Sequence, residues 1–287
     1  MRSSHDFNKK RELSIWKRPD KIVPEKLLFW SWYEPRNFGD WIGPYLYEAA
    51  TGSAPIFCPR DQISQLGCVM SAGSTLRHLI SDDRVVVWGS GIISRGDTFK
   101  RPKKILAVRG PLTRRRVTAL GYECPEIYGD PAILLPQCYK PDRSLRFYPI
   151  GLIPHFVDRR LFCSRGDFLV IDPTKPINRV IENIVSCKIT FSSSLHGVIV
   201  SHAYGIPSVW IRSVNSIDGD DTKFRDYFQS VGLDPEPVLL RSYESRDLAE
   251  LESVATLPSH LPLLKPLANS CPFKPQGFSL HDPAEGA

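Results

Sequence analysis

Paired cysteines are what this sequence most plainly lacks. Seven are scattered through it (Cys58, Cys68, Cys124, Cys138, Cys163, Cys187 and Cys271), an odd number with no CxxC pair. That excludes a zinc ribbon or a disulfide-stapled scaffold and fits reduced, buried thiols in a cytosolic protein. Long apolar runs are missing too, and none approaches the ~18 residues a membrane helix needs. Met1 to Asp20 is basic and polar, without the apolar stretch of a secretory signal. Excess charge is modest: net +6, with its densest tracts at Lys100–Lys104 and Arg114–Arg116. So mild a balance favours anionic ligands or surfaces and predicts no nucleic-acid partner. No group of His, Asp or Glu has metal-ligand spacing, so no metal is implied. Repeats and low-complexity tracts are also missing.

What the sequence does contain is an alternation of strand-like and helix-like stretches, the pattern of an α/β fold. Strands are predicted over 27–33, 84–88, 104–108, 147–153, 168–171 and 208–211, and helices over 41–51, 111–120, 177–186, 221–231 and 246–255. A Pro- and Arg-bearing stretch from Gln137 to Arg146 reads as a linker. The expected organisation is an N-terminal extension (1–24), two Rossmann-like domains (25–140 and 145–256) and an irregular Pro-rich tail (257–287).

Four strand-to-loop transitions carry polar chemistry. In Ser192-Ser193-Ser194-Leu195-His196-Gly197, an apolar strand breaks into serines and a helix start follows. Ligands bind at this end of the strands in open α/β sheets, and a helix N-terminus there offers N–H groups to an anion. His196 can trade protons near neutral pH. Equally, Ser194 can be a plain N-cap and His196 a plain first-turn residue. In Asn37-Phe38-Gly39-Asp40, Asp40 reads either as a helix cap or as a carboxylate that orients or deprotonates a hydroxyl. Gly89-Ser90-Gly91 could let backbone N–H groups approach a ligand, but two glycines fall short of a dinucleotide fingerprint. Arg109, before Gly110-Pro111, reads as a guanidinium aimed into a cleft or as an ion pair. Asp130 either sets a turn or orients Arg109. Arg212 and Lys223 could close over the same cleft or serve structure alone. Trp30, Trp32, Tyr33 and Trp41 could stack on a sugar or simply pack together.

In their order, Asn37-Phe38-Gly39-Asp40, Gly89-Ser90-Gly91, Val108-Arg109-Gly110-Pro111-Leu112, Gly129-Asp130-Pro131-Ala132 and Ser193-Ser194-Leu195-His196-Gly197 with Gly205-Ile206-Pro207 resemble the polysaccharide pyruvyl transferase family, closest to its exopolysaccharide branch. The resemblance covers about residues 27 to 232. It implies two domains facing a central cleft in the glycosyltransferase-B manner. It also implies transfer of pyruvate from phosphoenolpyruvate, with no further cofactor, to hydroxyls of an exopolysaccharide or lipid-linked oligosaccharide, often as a cyclic ketal. His196 becomes the general acid, Arg109 the grip on carboxylate or phosphate, and Asp40 the group that positions or deprotonates the acceptor. Asn37, Gly39, Gly89, Ser90, Gly91, Ser193, Ser194, Leu195 and Gly197 become substrate-binding positions. Many members carry arginine where this chain has Ser194, so Arg212 or Lys223 is expected to supply that anion contact. A cytoplasmic location follows, with peripheral contact at the inner membrane face. A glycosyltransferase using a nucleotide-sugar donor is the competing enzyme reading. It calls for an acidic residue near Gly205-Ile206-Pro207-Ser208-Val209-Trp210, and none is there. A non-catalytic sugar-binding scaffold is the third.

Overall fold

The computed structural model describes residues 27–32, 36–80, 84–142, 148–164, 166, 168–212, 215, 219–239, 250, 252–259, 261 and 263–273. The N-terminal extension, Tyr33, half of the helix expected over 246–255 (246–249 and 251) and the end of the tail lie outside them.

Two parallel sheets divide the chain. The first is built from β1 (Leu27–Phe29), β2 (Ile56–Phe57), β3 (Cys68–Met70), β4 (Val85–Trp88) and β5 (Lys104–Ala107), in the order β2-β1-β3-β4-β5. The second holds β6 (Tyr148–Ile153), β7 (Phe168–Val170), β8 (Cys187–Ser192) and β9 (Ser208–Trp210), in the order β7-β6-β8-β9. Strands buried on both faces read as continuous apolar runs, as Val85-Val86-Val87-Trp88 does. β2 and β3 are shorter than any strand read from the sequence, because two or three residues carry no usable periodicity.

Helices cover the sheets: α1 (Ile42–Thr51), α2 (Pro111–Ala119), α3 (Ile177–Val185), α4 (Leu195–Ala203), α5 (Thr222–Ser230) and α6 (Leu264–Asn269). In α3 the buried positions Ile177, Val180, Ile181 and Ile184 recur at three- and four-residue spacing, which lays one apolar stripe on the sheet. Pro111 opens α2, where its missing N–H costs nothing. Gly52 ends α1 in the left-handed region, its N–H bonding the carbonyl of Glu48.

One core cluster runs through both halves, taking in Ile133 and Leu134 of the first and Val198, Ile199 and Tyr227 of the second. The tail corrects an expectation. Instead of trailing off, Leu263, Leu267 and Phe273 are buried in that cluster, and Trp88 Nε1 donates to the Leu267 carbonyl at 3.0 Å. Its prolines hid a short apolar helix. Among the described residues no helix is long and apolar enough to cross a membrane.

Candidate active site

The carboxyl edges of the two sheets supply the candidate groups. After β1, Asn37 Oδ1 accepts from Gly39 N–H at 3.3 Å and caps a 3₁₀ turn over Phe38–Trp41. Asn37, rather than Asp40, is therefore the cap, which leaves the Asp40 side chain uncommitted. No hydrogen-bond donor reaches the Asp40 carboxylate among the described residues. Burial pushes its pKa up to about 6, against the opposing pull of His196 and Lys223. From the second half, the Pro173 carbonyl accepts from Phe38 N–H at 2.8 Å and holds this turn over the other sheet.

After β8, Ser194 takes the extended N-cap conformation of α4 but makes no side-chain capping bond. The backbone N–H groups of Leu195, His196 and Gly197 consequently have no acceptor among the described residues. They form an open helix N-terminus suited to an anion. Ser193 is turned inward, its hydroxyl accepting from His155 N–H at 2.8 Å. The Leu195 side chain joins the core, and a Cβ on Gly197 would overlap Ser192, so these two residues can meet a ligand only through their backbone N–H groups.

His196 projects from the first turn of α4 and is 8% exposed. Its Nε2 lies 3.5 Å from Asp130 Oδ2, long for a hydrogen bond, and has no closer partner among the described residues. Catalytic contacts of this kind often tighten only when substrate binds. Nδ1 faces Gly39, where a Cβ would overlap the ring, and Cε1 faces Gly73. Glycine at 39 is thus the condition for the two sheet edges to meet around the imidazole. Asp130 is wholly buried and accepts from Ala132 N–H at 3.0 Å and Gly73 N–H at 3.2 Å. Burial alone would raise its pKa. His196, the Ala132 N–H and Arg109 outweigh that and hold it below the ordinary carboxylate value. Asp130 therefore serves His196. The sequence offered it only as a turn residue or as a partner of Arg109.

Arg109 does not reach into a cleft. It is 0% exposed, with Nε donating to Asp226 Oδ2 at 3.1 Å, Nη1 to Ser74 Oγ at 2.7 Å and Nη2 to the Ile92 carbonyl. Asp226, on α5, was not singled out in the sequence, since an acid inside an amphipathic helix gives no signal by itself. The glycine turn is likewise consumed by the fold. Gly89 N–H bonds Ala107, Gly91 N–H bonds Gly73, and Ser90 Oγ meets Thr75 and the Gly73 carbonyl. A Cβ on Gly91 would strike the Arg109 guanidinium, and one on Gly89 would strike Pro131. Arg212 pairs with Asp221 at 2.8 Å on the surface. Lys223, half-buried on α5, lies close enough to act electrostatically on Asp40.

The tryptophans mostly pack together. Trp30 stacks on Trp32 at 5.7 Å, Trp41 meets both edge-on, and Trp30 and Trp41 are buried, so only half-buried Trp32 keeps an open side. A surface groove lined by Arg101, Lys103, Lys104 and Tyr122 lies at the opposite end of β5, away from these groups. Apart from it stands His202, buried and neutral, its pKa lowered to about 4 by burial. Its Nε2–H donates to the Thr256 carbonyl and its Nδ1 accepts from Tyr227 O–H, each at 2.9 Å, a structural role.

Residues 5–215 match the family described as polysaccharide pyruvyl transferase. Two relatives agree in part. The uncharacterized protein L143 of Acanthamoeba polyphaga mimivirus is 35% identical over 165 residues, 54% of this chain and 57% of that one. The succinoglycan biosynthesis protein ExoV of Rhizobium meliloti (strain 1021) is 24% identical over 209 residues, 70% of this chain and 63% of that one. The chain thus spans less than two thirds of either relative's length. No solved structure matches. With the match covering most of its length, this chain belongs to the polysaccharide pyruvyl transferase family.

Proposed function

We propose that this chain moves pyruvate from phosphoenolpyruvate onto saccharide hydroxyls of an exopolysaccharide or lipid-linked oligosaccharide, closing a cyclic ketal. The observation that carries the reading is the meeting of His196 and Asp40 from opposite halves, with Asp130 behind the imidazole. Enol ether chemistry needs an acid and a base in that relation. His196 gives a proton to the methylene carbon of phosphoenolpyruvate, leaving an oxocarbenium-like centre at C2. An acceptor hydroxyl attacks C2, and Asp40 takes its proton. Phosphate then departs, and a neighbouring hydroxyl attacks the same carbon to close the ketal. Two hydroxyl protons are lost; one is balanced by the new methyl group and one leaves with phosphate.

A carboxylate near pKa 6 suits a base working near neutral pH. The open N-terminus of α4 and the Lys223 ammonium are the groups that would hold the donor's phosphate and carboxylate. Two Rossmann-like halves arranged in the glycosyltransferase-B manner fit such a bridging site. We place the reaction in the cytoplasm, at the inner membrane face when the acceptor is lipid-linked.

The test is incubation with phosphoenolpyruvate and oligosaccharides whose terminal hexoses present neighbouring free hydroxyls. Inorganic phosphate and a new ketal methyl resonance should rise together. Nucleotide-sugar turnover with no phosphate from phosphoenolpyruvate would contradict the reading.

A further inference from the structure

The Arg109–Asp226 pair lies outside the chemistry just described, yet it is built with more hydrogen bonds than any other ion pair among the described residues. Both side chains are 0% exposed. Asp226 Oδ2 accepts from Arg109 Nε at 3.1 Å and from Thr113 Oγ1 at 2.6 Å, and Oδ1 accepts from Thr113 N–H at 2.9 Å. Asp226 therefore caps the N-terminus of α2 from a helix of the other half, and a carboxylate there also suits the helix dipole. The approach is close enough that a Cβ on Gly110 would overlap the Asp226 backbone carbonyl.

Arg109 carries the restraint onward. Its Nη1 holds Ser74, and the neighbouring Gly73 gives its N–H to Asp130 and borders the His196 ring at Cε1. The Gly73 carbonyl is fixed in turn by Ser90 Oγ at 2.9 Å and Gly91 N–H at 3.0 Å. From Asp226 to the imidazole the path is Asp226, Arg109, Ser74–Gly73, Asp130, His196, each link a contact with a named distance.

We infer that Asp226 is a positioning residue for the His196 site, clamping Arg109 and the start of α2 so that the Gly73–Ser74 bend holds Asp130 against the imidazole. The inference rests on the proposed pyruvyl transfer for its kinetic readout only. Arg109 is then a strut between the halves rather than a ligand for the donor's anionic groups.

Three variants test this. Asp226→Asn leaves Arg109 in place but loosens it. Asp226→Glu keeps the charge. Arg109→Met with Asp226→Leu replaces the pair by apolar groups, an exchange that buried ion pairs often tolerate without loss of stability. For Asp226→Asn, kcat should fall about 10²-fold, the usual scale for a slightly misplaced catalytic group, with KM for phosphoenolpyruvate unchanged. The glutamate variant should recover part of the loss. The double variant should fold, melting below the wild type because the cap of α2 is lost, yet show the same kcat loss, and it decides the matter if the asparagine variant does not fold. The His196 ring resonances, read by NMR on histidine-labelled protein, should move in every variant that folds, and this readout needs no turnover. A lowered KM with kcat kept in Asp226→Asn would make Arg109 a donor ligand that Asp226 restrains and overturn the inference. So would a double variant with wild-type kcat and unmoved His196 resonances. If the wild type turns over no phosphoenolpyruvate, the proposed function falls and the resonances alone decide: moved supports the positioning role, unmoved overturns it.

Discussion

The turn after β5 and the turn after β8 occupy matching places at the carboxyl edges of two parallel sheets, and they differ in what is left over. After β5, Arg109 is sealed off from solvent, and the nearby Gly89 and Gly91 N–H groups bond within the protein. After β8, Ser194 makes no capping bond, the first N–H groups of α4 stay open and His196 Nε2 has only a 3.5 Å contact. One edge spends its polar groups on the fold; the other keeps them. An unspent, buried polar group costs stability, and proteins retain such groups where they act on something else. Under the proposed function, that contrast makes Arg109 a strut and leaves His196 available for chemistry.

The sharpest way to break that contrast is His196→Asn. Phosphate release should fall about 10²–10⁴-fold while melting stays near wild type, because acid–base groups contribute on that scale. Next comes Gly39→Ala. Its Cβ would overlap the imidazole, so a loss of about 10²-fold with an intact fold is expected, read by the same assay together with circular dichroism. Lys223→Met should act more gently. Lys223 pulls the Asp40 pKa down, so removing it shifts the acid limb of the pH–rate profile to higher pH. An unmoved limb would separate Lys223 from the site. The smallest effect belongs to Arg212→Ala. Its ion pair is exposed, so less than about 1 kcal/mol should be lost in denaturant unfolding, with little change in rate.

Much of this site was legible in the sequence because its chemistry sits at strand ends, where a loop interrupts an apolar run. Asp40 and His196 were singled out that way, Lys223 as an early residue of a helix, and the structure places both His196 and Lys223 near enough to act on Asp40. Exposure was not legible. Arg109 and His196 look equally available in one dimension, and only the arrival of Asp226, 117 residues later, separates them. Asp130 was read as setting a turn or orienting Arg109, and it does cap the turn Pro131–Leu134 through the Ala132 N–H; its contact with His196 was not legible, because that depends on α4 packing against this turn. The brief strands β2 and β3 and the docked helix α6 escaped for a local reason: each is shorter than the window in which periodicity is readable.

The most direct test of the central claim is the pH–rate profile of phosphate release from phosphoenolpyruvate, measured for the wild type and for Asp40→Asn. Asp40 must be ionised to take the acceptor's proton, and its pKa stands at about 6, so the wild-type rate should climb through that pH as the carboxylate forms. In Asp40→Asn the limb should vanish and the plateau should drop about 10²–10⁴-fold. A variant that keeps both the limb and the wild-type plateau would contradict the pairing of Asp40 with His196.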